Sequence, residues 1–199
     1  GFTLAELLVV IGIILVMSVL AVPAFQSLSP AQKLTTAGAR VAGLAEVARM
    51  TAISNQTQTA LLVLTNLPSS RASEYRVFTF LERDSDSTEW HQAGRWEAAP
   101  EGIAIDPANS TFATGGNLVT GSAPFKYRGS ANLTSQNYAT LLYEKDGGLT
   151  PGIGVGGAPT IKLGIGSVEN GSFRATGPTN NWVRIVFNEA TGRTRIVRP

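Results

Sequence analysis

Cysteine is absent from the 199 residues, which excludes disulfides and thiolate metal sites. A single histidine, His91, excludes multi-histidine zinc centres and most Ser-His-acid constellations. It lies in TEWHQAGRW, which reads as an exposed turn. Charge is scarce too: charged residues make up 15% of the chain and the net charge is +2. That balance permits an anionic partner without requiring one. Other chemistry-bearing patterns are incomplete. Gly147, Gly148, Gly152, Gly154, Gly156 and Gly157 lack the Lys-Ser/Thr pair of a phosphate loop and read as a flexible connection. Glu82, Asp84, Asp86 and Glu89 in ERDSDSTE offer carboxylates, but without the glycine and the terminal acid spacing of a calcium loop. Asn-x-Ser/Thr triplets begin at Asn55, Asn109, Asn132 and Asn170 and are read as accidental. No cofactor and no metal is expected, and the chain is not read as an enzyme.

What the chain has instead is a long apolar run at its head, GFTLAELLVVIGIILVMSVLAVPAF. Leu7 to Val22 carries no ionisable side chain, and Glu6 stands alone in front of it. At about 1.5 Å per residue, Phe2 to Val22 reaches roughly 30 Å, enough to cross a bilayer core. A carboxylate in hydrocarbon is costly unless paired, so Glu6 needs either the membrane surface or a partner. Nothing basic precedes Leu7, and Lys33 is the first cation, so a cleaved secretory signal is not expected. Gly12 and Pro23 bracket the stretch expected to kink or melt, since proline removes a backbone donor and clashes with the previous turn.

After Pro23 the periodicity changes. Pro30 to Asn55 reads as an amphipathic helix, with Leu34, Val41, Leu44, Val47, Ala48 and Ala52 at helical spacing. Ser29-Pro30 supplies a cap and a first-turn proline. From Thr57 the texture is β. The strongest strand signals are TALLVLT, EYRVFTFLER and WVRIVF, with TRIV following a turn that places Gly192 in a left-handed position. Weaker strands are expected near Gly102–Ile105, Phe125–Arg128, Ala139–Tyr143 and Thr160–Ile165. The chain therefore divides into an apolar helix segment (1–28), an amphipathic helix (29–56) and a β-rich head (57–199).

The stretch GFTLAELLVVIGII resembles the processed-helix signature of type IV pilins and type II secretion pseudopilins. The resemblance rests on Gly1 before the processing point, Phe2 after it, Glu6 as the characteristic acid, and Thr3, Leu4 and Leu7 around them. It implies an α+β, pilin-like fold: a long N-terminal helix, half transmembrane and half amphipathic, packed on an antiparallel sheet head. It also implies a structural filament subunit, assembled through its apolar helix, with Glu6 pairing with a neighbour's N-terminal amine to set register. The implied partners are other copies of the chain, other pilins or pseudopilins, a prepilin peptidase and an inner-membrane assembly platform. The implied location is the bacterial inner membrane as a single-pass precursor, then a periplasmic pseudopilus or a cell-surface filament. No cofactor is implied.

Two alternatives accompany that reading. The first is a low-copy minor subunit that primes assembly or binds DNA at the tip. The head is similar in layout to minor pseudopilins and minor pilins, some of which end in a Gly-Arg-x-Arg element that contacts DNA. Here that element is Gly192-Arg193-Thr194-Arg195, joined by Arg184 and Arg198; the last 18 residues hold four arginines and one acid, Glu189. Arginine's fork suits phosphates, yet a solvated strand face explains the same residues, and DNA is the less favoured partner. The second is a membrane-anchored β domain that does not polymerise.

Overall fold

The computed structural model describes residues 3–4, 7–12, 29–65, 74–85, 89–111, 113–114, 138–150 and 158–199. Its one long described helix, α1, spans Pro30–Asn55. The start is fixed by a reciprocal cap: Ser29 Oγ accepts from the Gln32 amide at 3.2 Å, and Gln32 Oε1 accepts from the Ser29 amide at 2.9 Å. Pro30 occupies the first turn, where its missing donor costs nothing. The helix ends at Gln56, whose φ of 53° turns the chain left-handed.

Among the described residues eleven strands follow: β1 (Thr59–Leu64), β2 (Val77–Arg83), β3 (Trp90–Gln92), β4 (Glu97–Ala98), β5 (Ile103–Ile105), β6 (Ala113–Thr114), β7 (Tyr138–Tyr143), β8 (Thr160–Glu169), β9 (Ser172–Ala175), β10 (Trp182–Phe187) and β11 (Thr194–Val197). They form two antiparallel sheets. The larger runs β3-β2-β1-β7-β6, with β4 also on β2; the smaller runs β11-β10-β8-β5, with β9 also on β8.

α1 lies against both sheets. Its buried face is Leu34, Ala37, Gly38, Val41, Ala42, Leu44, Ala45, Ala48 and Ala52. It packs on Leu61, Val63, Phe78 and Phe80 of the larger sheet and on Ile161, Leu163, Val183, Ile185 and Phe187 of the smaller. Small residues on that face let the helix axis approach closely: a Cβ at Gly38 would meet Val183 Cγ1 at 2.6 Å. Thr59 Oγ1, fully buried, donates to the Ala48 carbonyl at 2.9 Å and ties β1 to the helix. β1 reads TALLVL without alternation because both its faces are covered. Ala60, Leu62 and Leu64 join Val77, Leu81 and Trp90 in a second cluster on the side away from α1.

Four expectations are corrected. Among the described residues no helix is long and apolar enough to cross a membrane, which overturns the transmembrane half of the expected fold. α1 is long enough but carries Lys33, Arg40, Glu46 and Arg49. Val47, expected on the buried face, is 52% exposed, because the seam settles one position away on Leu44, Ala45 and Ala48. His91 is exposed as expected but sits in β3, not in a turn, opposite Glu82 and 3.6 Å from its carboxylate. Short β4, β6 and β9 were not expected either. The strand expected at Phe125–Arg128 lies outside the described residues, as do Gly1, Phe2, Glu6 and Pro23.

Candidate anion-binding face

Strand alternation gives the smaller sheet an inner face and an outer one. On β10, Val183, Ile185 and Phe187 point at α1, so Trp182, Arg184 and Val186 point outward. The registers carry that face across the sheet. Arg184 pairs with Lys162 of β8 on one side and Val197 of β11 on the other, and Val186 pairs with Arg195. Arg184 and Arg195 are therefore diagonal neighbours on one face, and Lys162 stands directly opposite Arg184. Like charges directly opposite each other repel. Asp106, buried at the end of β5, offsets one of them: its Oδ2 lies 3.4 Å from Lys162 Nζ. The same carboxylate accepts from Asn109 Nδ2 at 2.8 Å. Arg184 lies over the Trp182 ring, 5.0 Å from its centroid, and its buried Nε has no acceptor. A cation–π contact holds the guanidinium without using its donors.

Of the four arginines singled out in the sequence, the structure brings Arg184 and Arg195 together. Arg193 is exposed in the turn before β11, and Arg198 is exposed after its end. Leu7 and Gly12 fall in the exposed helical stretch 7–12, and no described atom lies within 4 Å of a Cβ built on Gly12. Lys162 and Asp106 were missed. The signal for Lys162 was its polar position between Ile161 and Leu163, but only the register shows that it faces Arg184.

The β10–β11 turn is held against α1. Gly192 has φ +63°, and its amide donates to the Asn188 carbonyl at 2.7 Å. Arg49 of α1 reaches across, Nη1 donating to the Thr191 carbonyl at 3.4 Å while Nη2 and Nε hold Glu46 Oε1 at 2.7 and 3.1 Å. The hydrogen bond to Glu46 raises the Arg49 pKa despite partial burial. Beneath this arm lies Tyr143. Burial, aided by the Glu46 charge, pushes its phenol well above the usual range, and its hydroxyl has no partner.

Among the described residues no group of three or more His, Cys, Asp or Glu side chains could hold a metal ion. No protein-family model matches the chain, and no curated protein matches it. Among solved structures, the chain is similar to the minor pseudopilin EpsH from the type II secretion system of Vibrio cholerae. Identity is 13% and the TM-score 0.49, over 84% of this chain and 98% of that one. A further structure of EpsH matches at 17% identity and a TM-score of 0.45, over 86% and 97%. At these values the likeness is one of coarse layout.

Proposed function

We propose that the chain is a minor, low-copy subunit of a type II secretion pseudopilus or a type IV pilus-like filament, priming assembly or presenting a ligand-binding face. The observation that carries this reading is the contrast between the two ends of its N-terminal half. α1 buries its apolar seam completely against the head, whereas Leu4, Leu7, Leu8, Val9, Val10 and Ile11 are 48% to 81% exposed. The head does not cover them, so their cover comes from other subunits. Glu6, in the motif GFTLAE, pairs with a neighbour's N-terminal amine. A buried ion pair contributes little net stability but penalises a wrong register, because a misplaced subunit leaves the carboxylate unpaired. Other pilins or pseudopilins, a prepilin peptidase and an inner-membrane assembly platform are the partners, and the filament is periplasmic or on the cell surface. The exposed cations of the smaller sheet favour the minor role over that of a bulk subunit, whose surface is taken up by copies of itself.

The test is the composition of filaments sheared from cells, with the native chain and with Glu6→Leu. The proposal expects the chain in filaments well below the dominant subunit, and its loss from them in the variant. The chain as the dominant subunit refutes the minor role; normal incorporation of Glu6→Leu refutes the register role.

DNA binding is a second reading, favoured by the shared face of Arg184 and Arg195. Phosphate contacts make affinity fall with salt. Replacing both arginines with Gln is expected to weaken duplex binding and to reduce the salt slope by about 2. An unchanged slope removes this reading and leaves filament assembly untouched.

A further inference from the structure

The β8–β9 hairpin turns on two residues, Asn170 and Gly171, between the paired Glu169 and Ser172. Their φ angles are 52° and 74°, the two left-handed positions of a tight hairpin turn that Asn-Gly favours. Asn170 is the one asparagine of the chain that precedes a glycine. Asparagine is thermolabile, because the backbone nitrogen of the next residue can attack its side-chain carbonyl. A side chain on that next residue hinders the attack, and glycine has none. At Gly171 even an added Cβ would meet nothing within 4 Å. Asn170, Gly171 and Ser172 are all exposed. Among the described residues nothing bonds to the Asn170 carboxamide or accepts from the Gly171 amide.

The two competing sites are tied down. Asn109 precedes the small Ser110, but its Nδ2 donates to Asp106 Oδ2 at 2.8 Å. The Ser110 amide, which would have to attack, donates to the Pro107 carbonyl at 3.4 Å. Asp146 precedes Gly147 and could close the same ring. There the Gly147 amide donates to the Glu144 carbonyl at 2.8 Å, and Asp146 Oδ1 accepts from the Gly148 amide at 2.9 Å. Attacking and attacked groups are thus both engaged at these sites and both free at Asn170.

We propose that Asn170 is a site of spontaneous deamidation, with water as the co-reactant. Hydroxide takes the Gly171 amide proton, and the nitrogen bonds to Asn170 Cγ. The Cγ–Nδ2 bond breaks, and Nδ2 takes a proton from water and leaves as ammonia, which regenerates the hydroxide. Water then adds to either carbonyl of the five-membered imide and breaks its C–N bond, giving aspartate or isoaspartate. The left-handed backbone of Asn170 must relax for the ring to close, so the reaction runs through local opening of the turn. Exposed segments with few buried contacts open at small free-energy cost. Either product places a new carboxylate beside Glu169, whose own carboxylate lies 3.0 Å from Arg174 Nε. Isoaspartate also lengthens the backbone inside a two-residue turn. The Glu169–Ser172 pair then cannot close as before, and β9 loosens. The chemistry needs neither filament assembly nor an anion.

The test ages the full chain, kept in solution with a non-ionic detergent, in mildly alkaline buffer made with heavy-oxygen water. Proteolytic peptides are then mapped by mass spectrometry. Labelled aspartate or isoaspartate is expected at position 170, at least tenfold above the label at Asn109 or Asp146. Isoelectric focusing is expected to show an acidic shift matched by fresh Asn170→Asp and absent from aged Asn170→Gln. Hydrogen exchange of the amides of Ser172–Ala175 is expected to be faster in the isoaspartate fraction than in fresh protein. A chain unfolded in denaturant is the reference, since Asn170 reacts there without the turn. Label at position 170 in the unfolded chain but not in the folded one means that the turn protects Asn170, and overturns the proposal. Equal label at Asn109, Asp146 and Asn170 in the folded chain overturns it too. Unchanged exchange in the isoaspartate fraction overturns the loosening of β9.

Discussion

Replacing Gly192 with alanine tests a close approach between the terminal hairpin and the rest of the head. Two costs add at this position. A φ of +63° is disfavoured for any residue with a Cβ, by about 1–2 kcal/mol. The Cβ would also overlap the Gly147 carbonyl oxygen, with Tyr143 Cε1 at 2.9 Å and Arg49 Cδ at 3.1 Å. The carbonyl is backbone and cannot swing aside, so the turn or the 144–149 loop must shift, at an overpacking cost of about 1–3 kcal/mol. The total is about 2–5 kcal/mol. For a domain of this size, each kcal/mol lowers the melting temperature by about 2–4 °C, so a fall of roughly 4–20 °C is expected. Gly171→Ala is the internal control. Its φ is +74°, yet nothing lies within 4 Å of its added Cβ, so it carries the backbone cost alone and is expected to lose about 2–8 °C. Thermal melting of the two variants by circular dichroism separates the terms. Equal losses at the two sites would show that the hairpin does not press on the Gly147 carbonyl, and the clasp described here would be wrong.

Two further changes test the core beneath that clasp. Tyr143→Phe removes a buried hydroxyl without a partner, so it is expected to be neutral or to stabilise by about 1 kcal/mol at neutral pH. The raised phenol pKa also gives a sign. The unfolded tyrosine ionises near pH 10 while the folded one stays protonated, so stability is full below that pH and falls as pH rises above it. In Tyr143→Phe that alkaline decline should flatten in denaturant titrations; an unaltered slope would place the titration elsewhere, with Tyr75, also raised by burial, the next group to replace. Thr59→Val keeps the shape and deletes the donor to the Ala48 carbonyl, with an expected cost of about 0.5–1.5 kcal/mol seen as a lower urea midpoint at constant slope. No change in midpoint would mean that β1 is held to the helix by packing alone.

The parts of the fold legible in the sequence are those fixed by local chemistry. Ser29-Pro30 carries its own instruction, and the reciprocal bond with Gln32 bears it out. VFTFLER and WVRIVF announce β2 and β10 through β-branched and aromatic side chains, and NEATGR places Gly192 in the left-handed region it occupies. Legibility ends where tertiary context decides. β3, β4, β6 and β9 are two to four residues long, too short for alternation to register. His91 looked like a turn residue because Gly94 and the surrounding polar residues outweigh a three-residue strand held by pairing to β2. The apolar head of the chain misled in another way. Hydropathy suggested a membrane span, whereas among the described residues no helix is long and apolar enough to cross a membrane.

The candidate face shows the same limit more sharply. Alternation read from the sequence puts Arg193 and Arg195 on one side of an expected final strand, whereas β11 begins only at Thr194; nor can alternation say which residues of β10 share the side of Arg195, because a one-residue slip would exchange them. The observed register brings Arg195 beside Arg184 and sets Lys162 opposite it. That register is held by the turn, and the turn is held by Gly192, the Thr191 carbonyl and Arg49 of α1. The basic face therefore depends on a residue of the helix that touches none of its cations. A change at Arg49 or Gly192 that loosens the turn would scatter the charges as well as lower stability. Binding measured on such variants reports on the hairpin's position, whereas Arg184→Gln, outside the clasp, reports on the face itself.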